Sequence, residues 1–264
     1  MQLEIATFTE QGARNYNEDR LGHWTDGRHA LLIVADGAGG HGGGDVAATR
    51  TCDYLLASFA AQPSLDPGHL RALIAKANEC VLDGQHDGGR LAQMRSTVVM
   101  AAFELSASRM VWAHCGDSRA YLFRGHTVVA RTTDHSLVQQ MVDSGMLDGE
   151  QARLHPQRNI LLSALGSPAD ELEITVSDPM RLAAGDAVLL CSDGVWEPLG
   201  DTILTTSLEV SGSAAQWATA VRGQVAQRGK PDQDNYSAVL AWVAPQDDET
   251  MLITQAESSD ASLP

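Results

Sequence analysis

Residues 29–45, HALLIVADGAGGHGGGD, constrain this chain more than any other stretch. Leu31, Leu32, Ile33 and Val34 follow one another without a polar residue, the pattern of a strand covered on both faces. Asp36 stands where that run leaves the core, and six of the eight residues from Gly37 to Gly44 are glycine. Lacking a Cβ, such a loop lets backbone come close to whatever the carboxylate holds: an anion, a metal ion or a phosphate. A helix beginning near Asp45 then carries an acid in its first turn.

The rest of the chain reads in order around this stretch. Residues 3–9 form a first strand, and GARNYNEDRLGHW (12–24) is polar before a second strand-like piece. Helical spacing covers 45–61 and 68–82, with a turn at QPSLDPG between them, and HDGGR (86–90) is a loop. From Ser96 four strand-like runs separated by short turns predict an antiparallel meander: STVVMAAFEL, RMVWAHCG, RAYLFRG and TVVART. Helical spacing returns over 136–154, with Gly145 as a stop, and 155–168 is irregular. ELEITVSDPMRL and DAVLLCSDG read as two further strands, 213–229 as an amphipathic helix and NYSAVLAWVA (235–244) as the last strand. Runs of strands beside paired helices, without strict βαβ alternation, predict an α+β fold with mostly antiparallel sheet. One domain over 1–244 is expected, followed by an acidic, disordered tail at 245–264.

Composition narrows the function classes. The formal net charge is −16, and setting aside the five acids of the tail still leaves about −11. Such a surface repels polyanions and suits divalent cations, so no nucleic-acid partner is expected. Cys52, Cys80, Cys115 and Cys191 are far apart and flanked by apolar residues, which predicts buried reduced thiols. No signal peptide or membrane-spanning run is visible, so a soluble cytoplasmic protein with no membrane partner is expected.

One pattern recurs. Asp36 ends ALLIVA, Asp117 follows VWAHCG, Asp193 follows AVLLCS, and Asp234 precedes NYSAVLAW. A single Asp-Gly at a strand end is a turn former or a helix cap. Four acids at comparable strand ends, joined by Glu18 and Asp19, are harder to read as caps. Carboxylates gathered at one place need positive charge, and oxygen ligation of Mg²⁺ or Mn²⁺ supplies it. No HExxH, Cys/His ligand spacing or EF-hand loop points to zinc or structural calcium. Two such ions about 3.5–4 Å apart can activate a water and hold a phosphoryl oxygen for in-line attack. Arg14 among the early acids could fork onto a phosphate, or could serve only as a salt bridge to those acids.

Taken together, GARNYNEDR, VADGAGGHGGGD, CGDSRAYLFRG, TTDHSLV, LLCSDGVWE and PDQDNYSAVL resemble, in that order, the motifs of the metal-dependent protein phosphatases (type 2C Ser/Thr phosphatases), most of all the short bacterial members. The resemblance spans about residues 5–243. It implies a four-layer αββα sandwich, two antiparallel sheets face to face with helices outside. It implies that Asp36 bridges two Mn²⁺ or Mg²⁺ ions and that Gly37 offers a backbone carbonyl to one. Glu18 matches a ligand of the second ion, and Asp193 and Asp234 match ligands of the first. Asp19 matches an acid that orients metal-bound water, Asp117 one that holds a third, weaker ion, and Arg14 the phosphate clamp. Residues 136–165 match the flap beside the cleft, and Asn235 follows the last acid as in the family.

There are departures. Ala38 stands where eukaryotic members carry a histidine taken as general acid, leaving His41 or a water on the third ion as proton donor. Arg95-Ser96-Thr97 replaces a Gly-Thr-Thr, a packing or backbone change. His135 reads as a hydrogen-bonding scaffold, and His114 and His155 as structural. Arg153, His155 and Arg158 of the flap could meet acidic surroundings of a phosphosite or simply form solvated surface.

The expected activity is hydrolysis of phosphoserine or phosphothreonine on proteins, in opposition to a Ser/Thr kinase, by a monomer. Neither a CxxxxxR signature nor a GxSxG elbow is present for a covalent route. A catalytically silent phosphoprotein-binding module of the same fold would lack metal acids, and none is missing. A P-loop ATPase needs GKS or GKT, and no Lys occurs between residues 1 and 75. A metal nuclease would show basic surface for its substrate.

Overall fold

The computed structural model describes residues 1–38, 42–85 and 89–244; His41, the start of the 86–90 loop and the acidic tail lie outside the described residues. The chain runs β1 (Gln2–Glu10), β2 (Arg20–Thr25), β3 (His29–Ala35), β4 (Gly37–Ala38), α1 (Gly44–Ala61), α2 (Pro67–Leu82), β5 (Arg95–Ser96), β6 (Val98–Glu104), β7 (Arg109–Cys115), β8 (Arg119–Arg124), β9 (Thr127–Arg131), α3 (Leu137–Asp143), α4 (Gly149–Leu154), β10 (Thr175–Val176), β11 (Met180–Arg181), β12 (Ala187–Cys191), α5 (Asp193–Glu209), α6 (Ala214–Arg228) and β13 (Tyr236–Ala244). One sheet has the order β1-β13-β12-β8-β9; the other has β10-β7-β6-β3-β2, with β11 also on β7. Every ladder is antiparallel.

Three apolar layers hold these sheets. Successive residues of β3 point to opposite faces. Leu31, Ile33 and Ala35 pack with Ala48, Cys52, Leu55 and Phe59 of α1 and Leu70 and Ile74 of α2. Ala30, Leu32 and Val34 pack between the sheets against Val188 and Leu190 of β12 and Val239 and Ala241 of β13. Both faces of β3 are therefore covered, which is why its sequence shows no alternation. A third layer joins the far face of the other sheet to α5 and α6 through Leu189, Leu240, Leu204, Trp217 and Val221. The result is the expected α+β arrangement, a four-layer αββα sandwich.

The predicted meander is corrected. β6 pairs with β7 and β8 with β9, but β7 and β8 belong to different sheets. The chain crosses between them at Gly116, whose φ of +102° suits glycine, and the crossing carries Asp117. The predicted helix over 136–154 is two: α3 stops before Gly145, and Asp148 caps α4 with a capping box. The strand expected from ELEITVSDPMRL is only the short β10 and β11, interrupted at Asp178-Pro179, where proline offers no ladder N–H. Helix α5 has no counterpart in the sequence reading. Pro198 lies inside it and Gly200 is non-helical (φ 63°, ψ 171°), so its apolar period is cut in two. Cys52, Cys115 and Cys191 are buried, Cys80 is half-buried, and all four are free thiols. No helix of the described residues is long and apolar enough to cross a membrane.

Candidate active site

Strand pairing brings the acids to one end of the sandwich. Ala35, just before Asp36, pairs with Arg20, just after Asp19. Cys191, two residues before Asp193, pairs with Ala238 of the strand that follows Asp234 and with Arg119 after Asp117. Glu18, Asp36, Asp117, Asp193 and Asp234 consequently line one cleft of about 310 Å³, with Arg14, Gly37 and Asn235. Asp19 lies behind it, 2% exposed, where its Oδ2 accepts a hydrogen bond from Ser192 Oγ at 2.9 Å. A larger cavity of about 480 Å³ lies between α3, α4 and α5. Its acids Asp134, Glu150 and Asp201 are each tied to an arginine, so the unmatched charge sits in the smaller cleft.

Asp36, Asp117 and Glu18 each have support at their backbone. The Asp36 N–H donates to Thr97 Oγ1 (3.2 Å), Thr97 N–H donates to the Asp36 carbonyl (2.8 Å), and Thr97 Oγ1 lies 2.7 Å from Ser118 Oγ. Thr97, which keeps the family's threonine, thus holds Asp36 in place, and Ser96, which departs from the pattern, adds a bond from its Oγ to the Asp36 carbonyl at 3.2 Å. Trp196 Nε1 donates to the Asp117 carbonyl at 2.9 Å, and Arg119, forked onto Asp134 at 2.8 and 2.7 Å, covers the Trp196 ring. Asn235 ties the first loop to the last acid: its Oδ1 accepts from Glu18 N–H (2.9 Å), and its Nδ2 donates to the carbonyls of Gln11 (2.7 Å) and Tyr16 (3.1 Å). A Cβ at Gly37 would fall 2.3 Å from the Gly44 carbonyl oxygen, and one at Gly44 would fall 2.5 Å from Glu18 Oε1. The glycine loop is required because these backbones touch.

The electrostatics are those of carboxylates lacking a counter-charge. Burial first, then the carboxylates of Asp19 and Asp193, lift the Asp36 carboxyl well above the ordinary range; burial and then Asp117 and Asp234 do the same to Asp193. Burial raises Asp19 to about 6 and Asp117 to about 7, the latter helped by Asp134, and raises Glu18 as well. Among the described residues, Glu18 Oε1 and Asp19 Oδ1 are buried without a hydrogen-bond partner. Arg14 pairs with Asp234 at 2.5 Å, and this bond raises its guanidinium pKa. An all-oxygen donor set with orphaned, mutually repelling carboxylates fits a hard divalent cation. Among the described residues no three acids already converge as a closed cage; they ring the cleft.

His135 Nδ1 accepts from Gly116 N–H at 3.2 Å, its Nε2 lies 2.9 Å from Thr175 Oγ1, and its ring stacks on His114 with centroids 4.6 Å apart. Burial brings both imidazoles down to about 4, so they are neutral supports of the Gly116 crossing. The sequence reading missed the supporting roles of Ser192, Trp196 and Asn235, although each stands beside an acid in a motif already noted. It also missed Asn159 and Leu161 on the cleft wall, which come from a segment with no periodic signal.

The family model described as Protein phosphatase 2C matches residues 11–227. The chain belongs to the protein phosphatase 2C family. The chain is 32% identical over 252 residues to the serine/threonine protein phosphatase PstP of Mycobacterium tuberculosis, covering 93% of this chain and 46% of that one. It is 34% identical over 201 residues to the serine/threonine phosphatase stp of Listeria monocytogenes, covering 74% and 78%. The chain thus spans about half the length of the PstP relative it matches. Among solved structures, the catalytic domain of PstP in complex with two manganese ions superposes with a TM-score of 0.76 at 30% identity, covering 92% of this chain and 99% of the other.

Proposed function

We propose that this chain is a metal-dependent protein serine/threonine phosphatase acting on phosphoserine and phosphothreonine, with Mn²⁺ or Mg²⁺ held by Glu18, Asp36, Gly37, Asp193 and Asp234 and a weaker ion beside Asp117. The observation that carries the proposal is the single cleft in which five acids face Arg14, with Glu18 Oε1 unpartnered among the described residues. Divalent ions held there would lower the pKa of a water and neutralise charge on phosphoryl oxygens. The related PstP catalytic domain, solved with two manganese ions, supports that assignment.

The chain's own residues perform the remaining tasks. Arg14 stands at the mouth, more than half exposed, with a guanidinium suited to two oxygens of a phosphate. It pairs with Asp234, a residue that would hold a cation, and the same guanidinium could instead clamp the phosphate oxygens. Asp19, fixed by Ser192, holds a proton acceptor just behind the reacting centre. Asn235 sets Glu18 and Asp234 relative to one another. No cysteine or serine nucleophile is needed.

The phosphatase reading places the whole activity in one domain over 1–244, in the cytoplasm, as a monomer, with phosphoproteins and a Ser/Thr kinase as partners. Mn²⁺-dependent release of phosphate from a phosphothreonine peptide tests it, with ATP and single-stranded DNA as competing substrates. Equal turnover with and without metal, or turnover of ATP alone, overturns it.

A further inference from the structure

A third hollow, of about 230 Å³, is lined from the same flap segment as the cleft, and its charge is opposite to that of the chain. Arg153, Arg158, Arg228 and Lys230 line it against one acid, Glu197, in a protein with 18 basic and 34 acidic residues. Arg158 pairs with the Glu197 carboxylate, and Arg153 donates to the Glu197 carbonyl at 3.3 Å. Arg228 and Lys230, both exposed at the end of α6, form no ion pair with any acid among the described residues; Arg228 donates only to Gln224 Oε1, at 2.5 Å. The hollow is therefore cationic, open, and not neutralised by its own walls.

Its position relative to the cleft is fixed by two elements. Glu197 follows Asp193 by one turn of α5, a rise of about 5.4 Å. Asn159, next to Arg158 in sequence, lines the acid-lined cleft. An extended peptide advances about 3.3 Å per residue. A residue two to four positions from a phosphorylated side chain seated in the cleft lies about 7–13 Å from it, the reach needed to meet a hollow lined from the same flap and the same helix.

Building on the phosphatase reading, we propose that this hollow is a second substrate subsite, which selects phosphopeptides carrying a further anionic side chain two to four residues from the phosphorylated one. Arg228 and Lys230 supply the free charge, and Arg153 and Arg158 form the wall.

The test compares two phosphothreonine peptides that differ only in flanking Glu or Gln at those positions. Wild type is expected to favour the Glu peptide in kcat/KM by about fivefold to tenfold at low salt, less at high salt. The double variant Arg228→Glu/Lys230→Glu is expected to bring that ratio to about one or below. Arg228→Glu alone and Arg28→Glu, on the hairpin before β3 at the opposite end of the sandwich, change the net charge equally, and only the former is expected to lower the ratio. Labelled-peptide anisotropy gives the same ratio for binding without turnover. A wild-type ratio of one, or a preference that survives the double variant, overturns the subsite. A chain that binds with the preference but hydrolyses neither peptide refutes the phosphatase reading and leaves the subsite supported.

Discussion

Asn235 is the place to perturb the site without touching a proposed ligand. Its side chain is 6% exposed and makes three hydrogen bonds to backbone groups of residues 11–18, at 2.7, 3.1 and 2.9 Å. Asn235→Ala removes all three and leaves two carbonyls and the Glu18 N–H unpaired. At about 1 kcal/mol net per bond, the loss is about 3 kcal/mol. For a domain of this size that corresponds to a fall in Tm of about 6–12 °C if the whole molecule feels it. If the loss stays local, the segment carrying Arg14 and Glu18 opens more often, and amide exchange at Glu18 rises about 100-fold. Asn235→Asp separates acceptor from donors: it keeps an acceptor for Glu18 N–H, loses both donated bonds, and adds a charge beside Asp234. It is expected to be at least as damaging as the alanine. Hydrogen exchange read at residues 11–19, with a thermal melt of the same sample, checks both variants. Unchanged exchange at Glu18 together with a Tm within about 2 °C of wild type refutes the staple.

Other expectations follow from the same geometry. Asp36→Asn is expected to abolish Mn²⁺-dependent hydrolysis of p-nitrophenyl phosphate while raising the metal-free Tm, because it removes a carboxylate whose charge burial disfavours; near-normal turnover would take Asp36 out of the site. The metal-free protein should lose stability as pH rises. Asp19 and Asp117, at about 6 and about 7, hold protons more tightly folded than unfolded, so their contribution is full below about 4 and is lost through 6–7. Melts in EDTA at pH 5 and pH 7.5 check the sign, and Mn²⁺ should stabilise more at the higher pH; a metal-free Tm that climbs between them contradicts it. Trp196→Phe keeps the ring under Arg119 but deletes the N–H to the Asp117 carbonyl, at a cost of about 1 kcal/mol. The Mn²⁺ concentration for half-maximal rate should rise in that variant, and an unmoved metal titration would mean that Trp196 does not support Asp117.

The acids and their strand ends were legible because each combines two local signals, an apolar run and a carboxylate beside Gly, Ser or Asn. The double burial of β3 was legible for the same reason: with apolar side chains on both faces, Leu31 to Val34 show no alternation. Helix α5 was hidden by Pro198 and Gly200, which interrupt its period although its halves pack on one sheet. The crossing at Gly116 was hidden by the shortness of its turn, since the three residues Gly116, Asp117 and Ser118 could end a hairpin or change sheets. Only packing between the sheets tells those cases apart.

What the amino-acid order determined by itself was local: which segments become strands and helices, where the carboxylates stand along them, and that the chain carries far more negative than positive charge. What the tertiary structure decided was convergence. Glu18 and Asp234 are more than two hundred residues apart in the chain, and only the antiparallel register and the Asn235 bonds bring them to one cleft. Non-local pairing is a property of two surfaces at once, so no window of sequence contains it. The same holds for the basic hollow, whose arginines come from the flap and whose free charges come from the end of α6.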